Sequence, residues 1–293
     1  MNAGVTLRAP AKINLSLEVL SRTDGGLHAL RSVMVPVTIF DEIEIAPTTS
    51  GFAFSCSVPE LEQGNLAERA LRALPLKSFD VAVALRKRIP TQAGLGGGSS
   101  DAAAILIAAQ EGAFDLTSAP DYVNIASALG SDVPFFLAQT AALVEGTGER
   151  VTPLGVVPPW HAVVIKPAVA ISTAAAFLRL DERPRTTRGR SHSIGVRLAQ
   201  ALQRADFDET TSLLHNDFQE DCATLYPHVA QALAALSDAG ASRPLLSGSG
   251  SSVFALVRTP EEQRALLSRL QLPTGCCVLP CSLWSAPAWR AAP

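Results

Sequence analysis

Pro90-Thr91-Gln92-Ala93-Gly94-Leu95-Gly96-Gly97-Gly98-Ser99-Ser100-Asp101-Ala102 follows a strand-like segment, Val81 to Leu85, and enters an alanine-rich helical pattern over Asp101 to Gln110. Four of the five residues from Gly94 to Gly98 are glycine. Glycine lets the backbone come close to a ligand, and a helix start offers unpaired N–H groups at the positive end of its dipole, so an anion fits here and phosphate is the natural candidate. A plain turn with Ser99 or Ser100 as an ordinary N-cap has the same composition.

Two other phosphate loops can be tested by inspection. A Walker loop closes on Gly-Lys-Ser/Thr, and no lysine follows Gly98. A Rossmann fingerprint needs a following strand and an acidic residue about twenty positions on. Gly94-Leu-Gly96-Gly-Gly-Ser99 half fits that pattern, but Gly112 to Pro120 reads as loop, which leaves a dehydrogenase a weak competitor. A second glycine-serine segment, Ser247-Gly248-Ser249-Gly250-Ser251-Ser252, precedes a strand-like run to Val257. Alone it fits any tight turn.

Outward from these loops the chain alternates strands and helices without a strict βαβ rhythm, which argues for an α+β fold. Ile13, Leu15, Leu17 and Val19 alternate with Asn14, Ser16 and Glu18, the pattern of a half-buried strand with Lys12 and Asn14 on its polar face. Further strands are expected at Val33 to Val37, Glu42 to Ile45, His161 to Lys166 and Ser252 to Val257. Helices are expected over Leu66 to Leu74, opened by an Asn65/Glu68 capping box, and around Gln231 to Leu236, ending near Gly240. A boundary near Pro158 and Pro159 would divide the chain into domains 1–157 and 158–293.

The 293 residues are 47% hydrophobic, enough for a sizeable core, and carry a net charge of -3. That balance provides no broad cationic surface for a nucleic-acid partner. Arg8, Lys12, Asn14 and Glu18 interrupt the first twenty residues, and the apolar runs at Ala102–Ala109 and Val133–Val144 are too short or broken to span a bilayer. A cytoplasmic protein without a membrane partner is expected, acting as a monomer or homodimer. Cys56, Cys222, Cys276, Cys277 and Cys281 have no neighbouring histidine to complete a zinc site and read as plain thiols. Arg183, Arg185, Arg188 and Arg190 sit among Thr, Ser, Gly and Pro, a pattern that suits a solvated loop and would also attract a phosphate. Ser285 to Pro293 reads as a tail.

Three segments stand in a fixed order: Ala9-Pro-Ala-Lys12-Ile-Asn14-Leu15, Pro90 to Ala102, and Leu246-Ser-Gly-Ser-Gly-Ser-Ser-Val-Phe254. In order and spacing they resemble the three motifs of the GHMP kinases, over nearly the whole chain. With Leu129-Gly-Ser-Asp132-Val-Pro-Phe135 they are similar, within that superfamily, to the kinases of 4-diphosphocytidyl-2-C-methyl-D-erythritol. The resemblance implies a two-domain α+β fold with ATP and a cytidyl-diphosphate-bearing small molecule in the cleft between. It implies that Lys12 and Asp132 are the catalytic pair, that Pro90 to Ser100 binds the ATP phosphates, and that Asn14, His28, Thr173 and Phe177 form the substrate pocket.

Phosphoryl transfer needs an aligned nucleophile and fixed positive charge more than covalent chemistry. On the implied roles, Asp132 orients the hydroxyl and accepts its proton late, and Lys12 stabilises the phosphoryl oxygens. Mg²⁺ follows from kinase chemistry, with Ser100, at the loop's end, as a candidate ligand. Each residue also has a plain structural reading: Asp132 as the cap of a helix beginning at Val133, Lys12 as a solvated side chain, His28 as a loop histidine, Phe177 as core. In Arg22-Thr-Asp24-Gly25-Gly26-Leu27-His28 one extra residue intervenes, and Leu27 stands where the resembling kinases carry an aromatic that sandwiches cytosine with the Phe177 counterpart. Base stacking is worth about 1–3 kcal/mol, so a weaker KM for the cytidyl substrate is expected. Another GHMP small-alcohol kinase, of the homoserine or mevalonate type, and a nucleotide-binding sensor without turnover are the alternatives.

Overall fold

The computed structural model describes residues 4–22, 26–181 and 194–285. The strands, in chain order, are β1 Val5–Arg22, β2 His28–Pro47, β3 Ala53–Cys56, β4 Val81–Arg86, β5 Ala141–Gly146, β6 Arg150–Gly155, β7 His161–Lys166, β8 His215–Asn216, β9 Leu245–Leu246, β10 Val253–Val257 and β11 Cys277–Ser282. The helices are α1 Leu66–Ala73, α2 Gly97–Gln110, α3 Tyr122–Leu129, α4 Val133–Leu137, α5 Thr173–Asp181, α6 Ile194–Gln203, α7 Phe207–Ser212, α8 Gln219–Leu225, α9 Pro227–Asp238 and α10 Pro260–Arg269. The arginine-rich segment and the tail beyond Ser285 lie outside the described residues. Among the described residues no helix is long and apolar enough to cross a membrane.

A first sheet runs β3-β4-β2-β1-β8, with β5 and β6 continuing from the other end of β2. The second is an antiparallel β11-β7-β10-β9 sheet. This is the expected α+β architecture. The two segments read as Val33 to Val37 and Glu42 to Ile45 are one strand, β2, because β1 pairs along its whole length. An irregularity at Thr38 and Ile39, opposite Pro10 and Ala11, marks where the two segments meet. There Ser282 N donates to Thr38 Oγ1 at 2.9 Å and Trp284 N donates to Pro36 O at 2.9 Å, so the edge of the second sheet is tied to the first.

The reading of β1 as half-buried needs correction. Lys12, Asn14, Ser16 and Glu18 are no more than 4% exposed. The glycine loop passes beneath Lys12, β8 pairs along the strand edge at Ser16 and Leu17, and α6 meets Glu18; burial is tolerated because each side chain finds a partner. Ser16 Oγ accepts from Val33 N at 3.0 Å, Ser16 O accepts from Ser32 Oγ at 2.6 Å, and Glu18 accepts from Gly195 N at 2.9 Å.

The anticipated capping box at α1 is half made. Asn65 accepts from Ala67 N, while Glu68 turns away to pair with Arg72 one turn on. Helix α2 starts four residues earlier than its alanine pattern, inside the glycine run, and everything from Ser100 to Ala109 is buried. Small side chains let it pack among α1, α3, α4 and β1. A second hydrophobic cluster joins Ile13, Val35 and Val37 of the first sheet to Val164, Phe254 and Leu256 of the second, with Leu198 of α6. Phe254 is fully buried there. Truncating it leaves a cavity that both sheets line, so Phe254→Ala should cost about 3–5 kcal/mol and lower the urea midpoint accordingly.

Candidate active site

The N-terminal half of β1 is hydrogen-bonded to the glycine loop: Lys12 N donates to Leu95 O at 2.9 Å. Gly96 adopts φ 72°, and a Cβ there would lie 3.0 Å from both Lys12 Cγ and the Phe136 ring, so only glycine lets the loop pass beneath Lys12. Helix α2 then begins at Gly97, with its first-turn N–H groups lacking intrahelical partners. The second glycine-serine turn packs directly on the first loop. Ser247 Oγ donates to Gly94 O at 3.0 Å and Ser252 N donates to Ala93 O at 3.1 Å. A Cβ on Gly94 would sit 2.1 Å from Ser247 O, an approach no side chain permits.

A cleft of about 580 Å³ opens over these loops. It is lined by Lys12, Asn14, the run from Pro90 to Ser99, Asp132, Thr173 and Phe177. Lys12 is 3% exposed, and its ammonium donates to Asn14 Oδ1 at 2.6 Å and lies 3.5 Å from Asp132 Oδ2. Asn14 in turn donates to Ser32 Oγ at 2.8 Å. The ammonium is therefore desolvated but held, one bond fixing its direction and one carboxylate balancing its charge. Asp132 precedes α4, yet its side chain makes no capping hydrogen bond. The helix-cap reading of Asp132 is replaced by the pairing with Lys12.

Thr173, at the start of α5, shares a 2.9 Å hydroxyl contact with Ser249, and Phe177 lies one turn further along the cleft wall. His28 does not line the cleft. It begins β2 with its ring stacked on Phe177, centroids 5.0 Å apart and planes 12° apart, and its Nε2 lies 2.7 Å from Asp181 Oδ1. Asp181 is also bound by Arg22, and its carboxyl is held below the usual range first by the Arg22 hydrogen bond and then by His28. Ser100 is fully buried, its hydroxyl has no hydrogen-bond partner among the described residues, and it too is absent from the lining. Ser99 stands in the lining instead.

Several cleft residues escaped the sequence reading. Gly248 and Ser249 carried a signal, since they lie in the second glycine-serine segment. Lys87 and Asp101 carried little. Lys87 donates to Asp101 Oδ2 at 2.6 Å and also pairs with Asp41, whose other oxygen accepts from Ile89 N at 2.8 Å. One buried lysine thus serves two buried carboxylates. Burial works against the Lys87 ammonium, but the charges of Asp101 and Asp41 outweigh it and raise its pKa. Burial pushes the Asp101 carboxyl up to about 8, against the pull of Lys87. Among the described residues no group of three or more His, Cys, Asp and Glu forms a metal site.

Comparison with known proteins places this geometry in a family. The GHMP kinases N terminal domain matches residues 65–140, and the GHMP kinases C terminal domain matches residues 198–273. The chain is 37% identical over 276 residues to the 4-diphosphocytidyl-2-C-methyl-D-erythritol kinase of Geobacter sp. (strain M21), covering 92% of this chain and 95% of the relative. It is similar to a crystal structure of 4-(cytidine 5'-diphospho)-2C-methyl-D-erythritol kinase, with a TM-score of 0.75, 31% identity, and coverage of 94% and 99% of the two chains. The homoserine kinase of Cytophaga hutchinsonii shares the fold at 19% identity, with a TM-score of 0.69 and coverage of 97% and 96%.

The Asp101 carboxyl sets a pH dependence with a definite sign. Its folded pKa of about 8 lies above the ordinary carboxyl value of 3.8, so between those values the native protein holds a proton that the unfolded chain has released. Stability from this group is fully present below about pH 4 and is lost as pH rises through about 8. Asp101→Asn, which cannot ionise, should show a smaller fall in urea midpoint than the wild type between pH 5 and 8.5, roughly the window of that titration. Equal falls in the two proteins would refute the assignment.

Proposed function

The chain belongs to the GHMP kinases, in the 4-diphosphocytidyl-2-C-methyl-D-erythritol kinase family, and from that membership we propose how its cleft works. The reaction transfers the γ-phosphate of ATP to a hydroxyl of 4-diphosphocytidyl-2-C-methyl-D-erythritol, the 2-hydroxyl on the family pattern, in the non-mevalonate route to isoprenoid precursors. The products are the 2-phosphate and ADP. The observation that carries the reading is the meeting, in one cleft, of an anion-ready helix start with buried Lys12 paired to half-buried Asp132.

In this mechanism the loop from Pro90 to Ser99 and the first-turn N–H groups of α2 hold the ATP phosphate tail. The acceptor hydroxyl lies beside Asp132. Its oxygen bonds to the γ-phosphorus as the bond to the bridging β–γ oxygen breaks, and ADP leaves with that electron pair. The hydroxyl proton passes to Asp132 late in the transfer, and the Lys12 ammonium, aimed by Asn14, balances charge on the phosphoryl oxygens. Asn14, Thr173 and Phe177 serve the substrate from the cleft wall, with the Phe177 ring as the stacking surface for cytosine, and His28 acts through Phe177, on which its ring is stacked. Leu27, 62% exposed, gives apolar contact only. The halves 1–157 and 158–293 supply, respectively, the phosphate loop with Lys12 and Asp132, and the wall bearing Thr173 and Phe177.

Mg²⁺ fits as an ion carried in with the nucleotide, because Mg²⁺ uses few protein ligands when phosphates and water supply the rest. When bound it neutralises charge shared by the β- and γ-phosphates. Of the two serines closing the loop, Ser99 lines the cleft and Ser100, a candidate ligand from its place at the loop's end, does not, which favours Ser99.

ADP release from Mg-ATP, measured with the cytidyl compound beside homoserine and mevalonate, tests the reading. Turnover is expected with the cytidyl compound alone, and Asp132→Asn should lower kcat by roughly 10²–10⁴-fold. Equal turnover of homoserine or mevalonate would sink the substrate assignment. Phe177→Ala should raise KM for the cytidyl compound roughly 5- to 150-fold, the equivalent of about 1–3 kcal/mol of lost stacking, with a much smaller effect on KM for ATP.

A further inference from the structure

Asn216 ends β8, is 7% exposed and does not line the cleft. Its amide is nevertheless fully engaged. Nδ2 donates to Leu246 O and to Gly248 O, each at 2.8 Å, and Oδ1 accepts from Phe218 N at 2.9 Å. With two carbonyls facing the nitrogen and an N–H facing the oxygen, only one orientation of the amide satisfies all three bonds. Replacing the side chain leaves buried backbone groups unpaired.

What Asn216 grips are walls of the cleft. Gly248 lines it, and a Cβ on that residue would lie 3.2 Å from both Lys12 Nζ and Gly94 O. Phe218 lines it as well, with its ring edge-on to Phe177 at 4.9 Å and 87°. Strand β8 is itself paired with β1, Leu17 opposite Asn216, three positions beyond Asn14. One residue therefore joins three parts of the site: its backbone pairs with the strand carrying Lys12, and its side chain binds the turn that faces the Lys12 ammonium and the backbone of Phe218 behind Phe177. The ATP loop meets the same turn at Ala93 and Gly94, but its N–H groups over Gly97 to Ser99 are held separately, through α2 and the bond from Lys12 N to Leu95 O.

We infer that Asn216 is a positioning residue: its amide sets the distance of the Gly248 turn from Lys12 and the seat of Phe218 behind Phe177, so that the acceptor hydroxyl meets the ammonium in register. The inference rests on the kinase reading of the cleft. Displacements of about 1 Å in such a site cost as much as 10²-fold in rate.

Asn216→Asp tests it, because the variant keeps the shape and the acceptor for Phe218 N but turns an oxygen toward two carbonyls. Asn216→Ser removes the amide altogether. Gln219→Ala is the control. Gln219 accepts from Leu246 N at 2.8 Å and does not line the cleft, so its loss strips the same segment of a bond without touching Gly248. For each protein, folding is checked by circular dichroism, kcat and KM for the cytidyl compound are measured at saturating Mg-ATP, and ADP affinity is measured by equilibrium dialysis.

Both Asn216 variants should lose roughly ten- to hundredfold in kcat and show a raised KM for the cytidyl compound. ADP affinity should stay within about twofold of wild type, and Gln219→Ala should stay within about twofold in every constant. A folded Asn216 variant with wild-type kcat overturns the inference. So do a parallel loss of ADP affinity, an equal loss in Gln219→Ala, and failure of both Asn216 variants to fold, each of which assigns the residue to stability alone. A wild-type protein that binds ADP but leaves the cytidyl compound untouched overturns the kinase reading first, before any variant is compared.

Discussion

An ammonium group that is almost wholly out of water is the constraint around which this molecule is arranged. Lys12 is 3% exposed, and a desolvated charge persists only where hydrogen bonds and an opposite charge replace its hydration. Asn14 supplies the bond and Asp132 the charge, from two different parts of the chain. Asn14 is itself anchored to Ser32, and Ser32 to the backbone of Ser16. The polar face of a strand that would otherwise meet solvent thus becomes a wired floor for the cleft.

Close backbone approach is the second requirement. Gly94 touches Ser247 at a distance that no Cβ allows, and Gly96 passes beneath Lys12. Because the two glycine turns are far apart in the sequence, their contact forces β1, α2 and the β9–β10 hairpin into a single arrangement. Residues from both sheets share one buried cluster beneath them. The geometry of the cleft and the packing of the core are consequences of the same contacts.

The pairing of Lys87 with Asp41 and Asp101 shows a different balance. Two buried carboxylates around one lysine carry an excess negative charge, which burial penalises and which a bound proton relieves. The arrangement ties the second turn of α2 to β2 and to the end of β4 beside the glycine loop. Stability at alkaline pH is given up for the placement of a helix start.

Much of this was legible before the structure. The mix of strands and helices without a βαβ rhythm pointed to the α+β class, the glycine run ahead of an apolar helix pointed to an anion site, and the resemblance of four segments, Leu129 to Phe135 among them, to the GHMP kinases supplied Lys12 and Asp132 as candidates. Those signals are local, because turn chemistry, helix starts and side-chain alternation act over a few residues. Tertiary structure decided what depends on contacts between distant segments. It buried the polar face of β1, fused two expected strands into β2, freed Asp132 from its capping role and stacked His28 on Phe177. It also brought in Lys87, Asp101 and Asn216, whose surroundings come from β2, α2 and the second glycine turn. No alternation or spacing along the chain encodes a desolvated charge or a shared hydrogen bond; only the packing of the two sheets and their helices creates them.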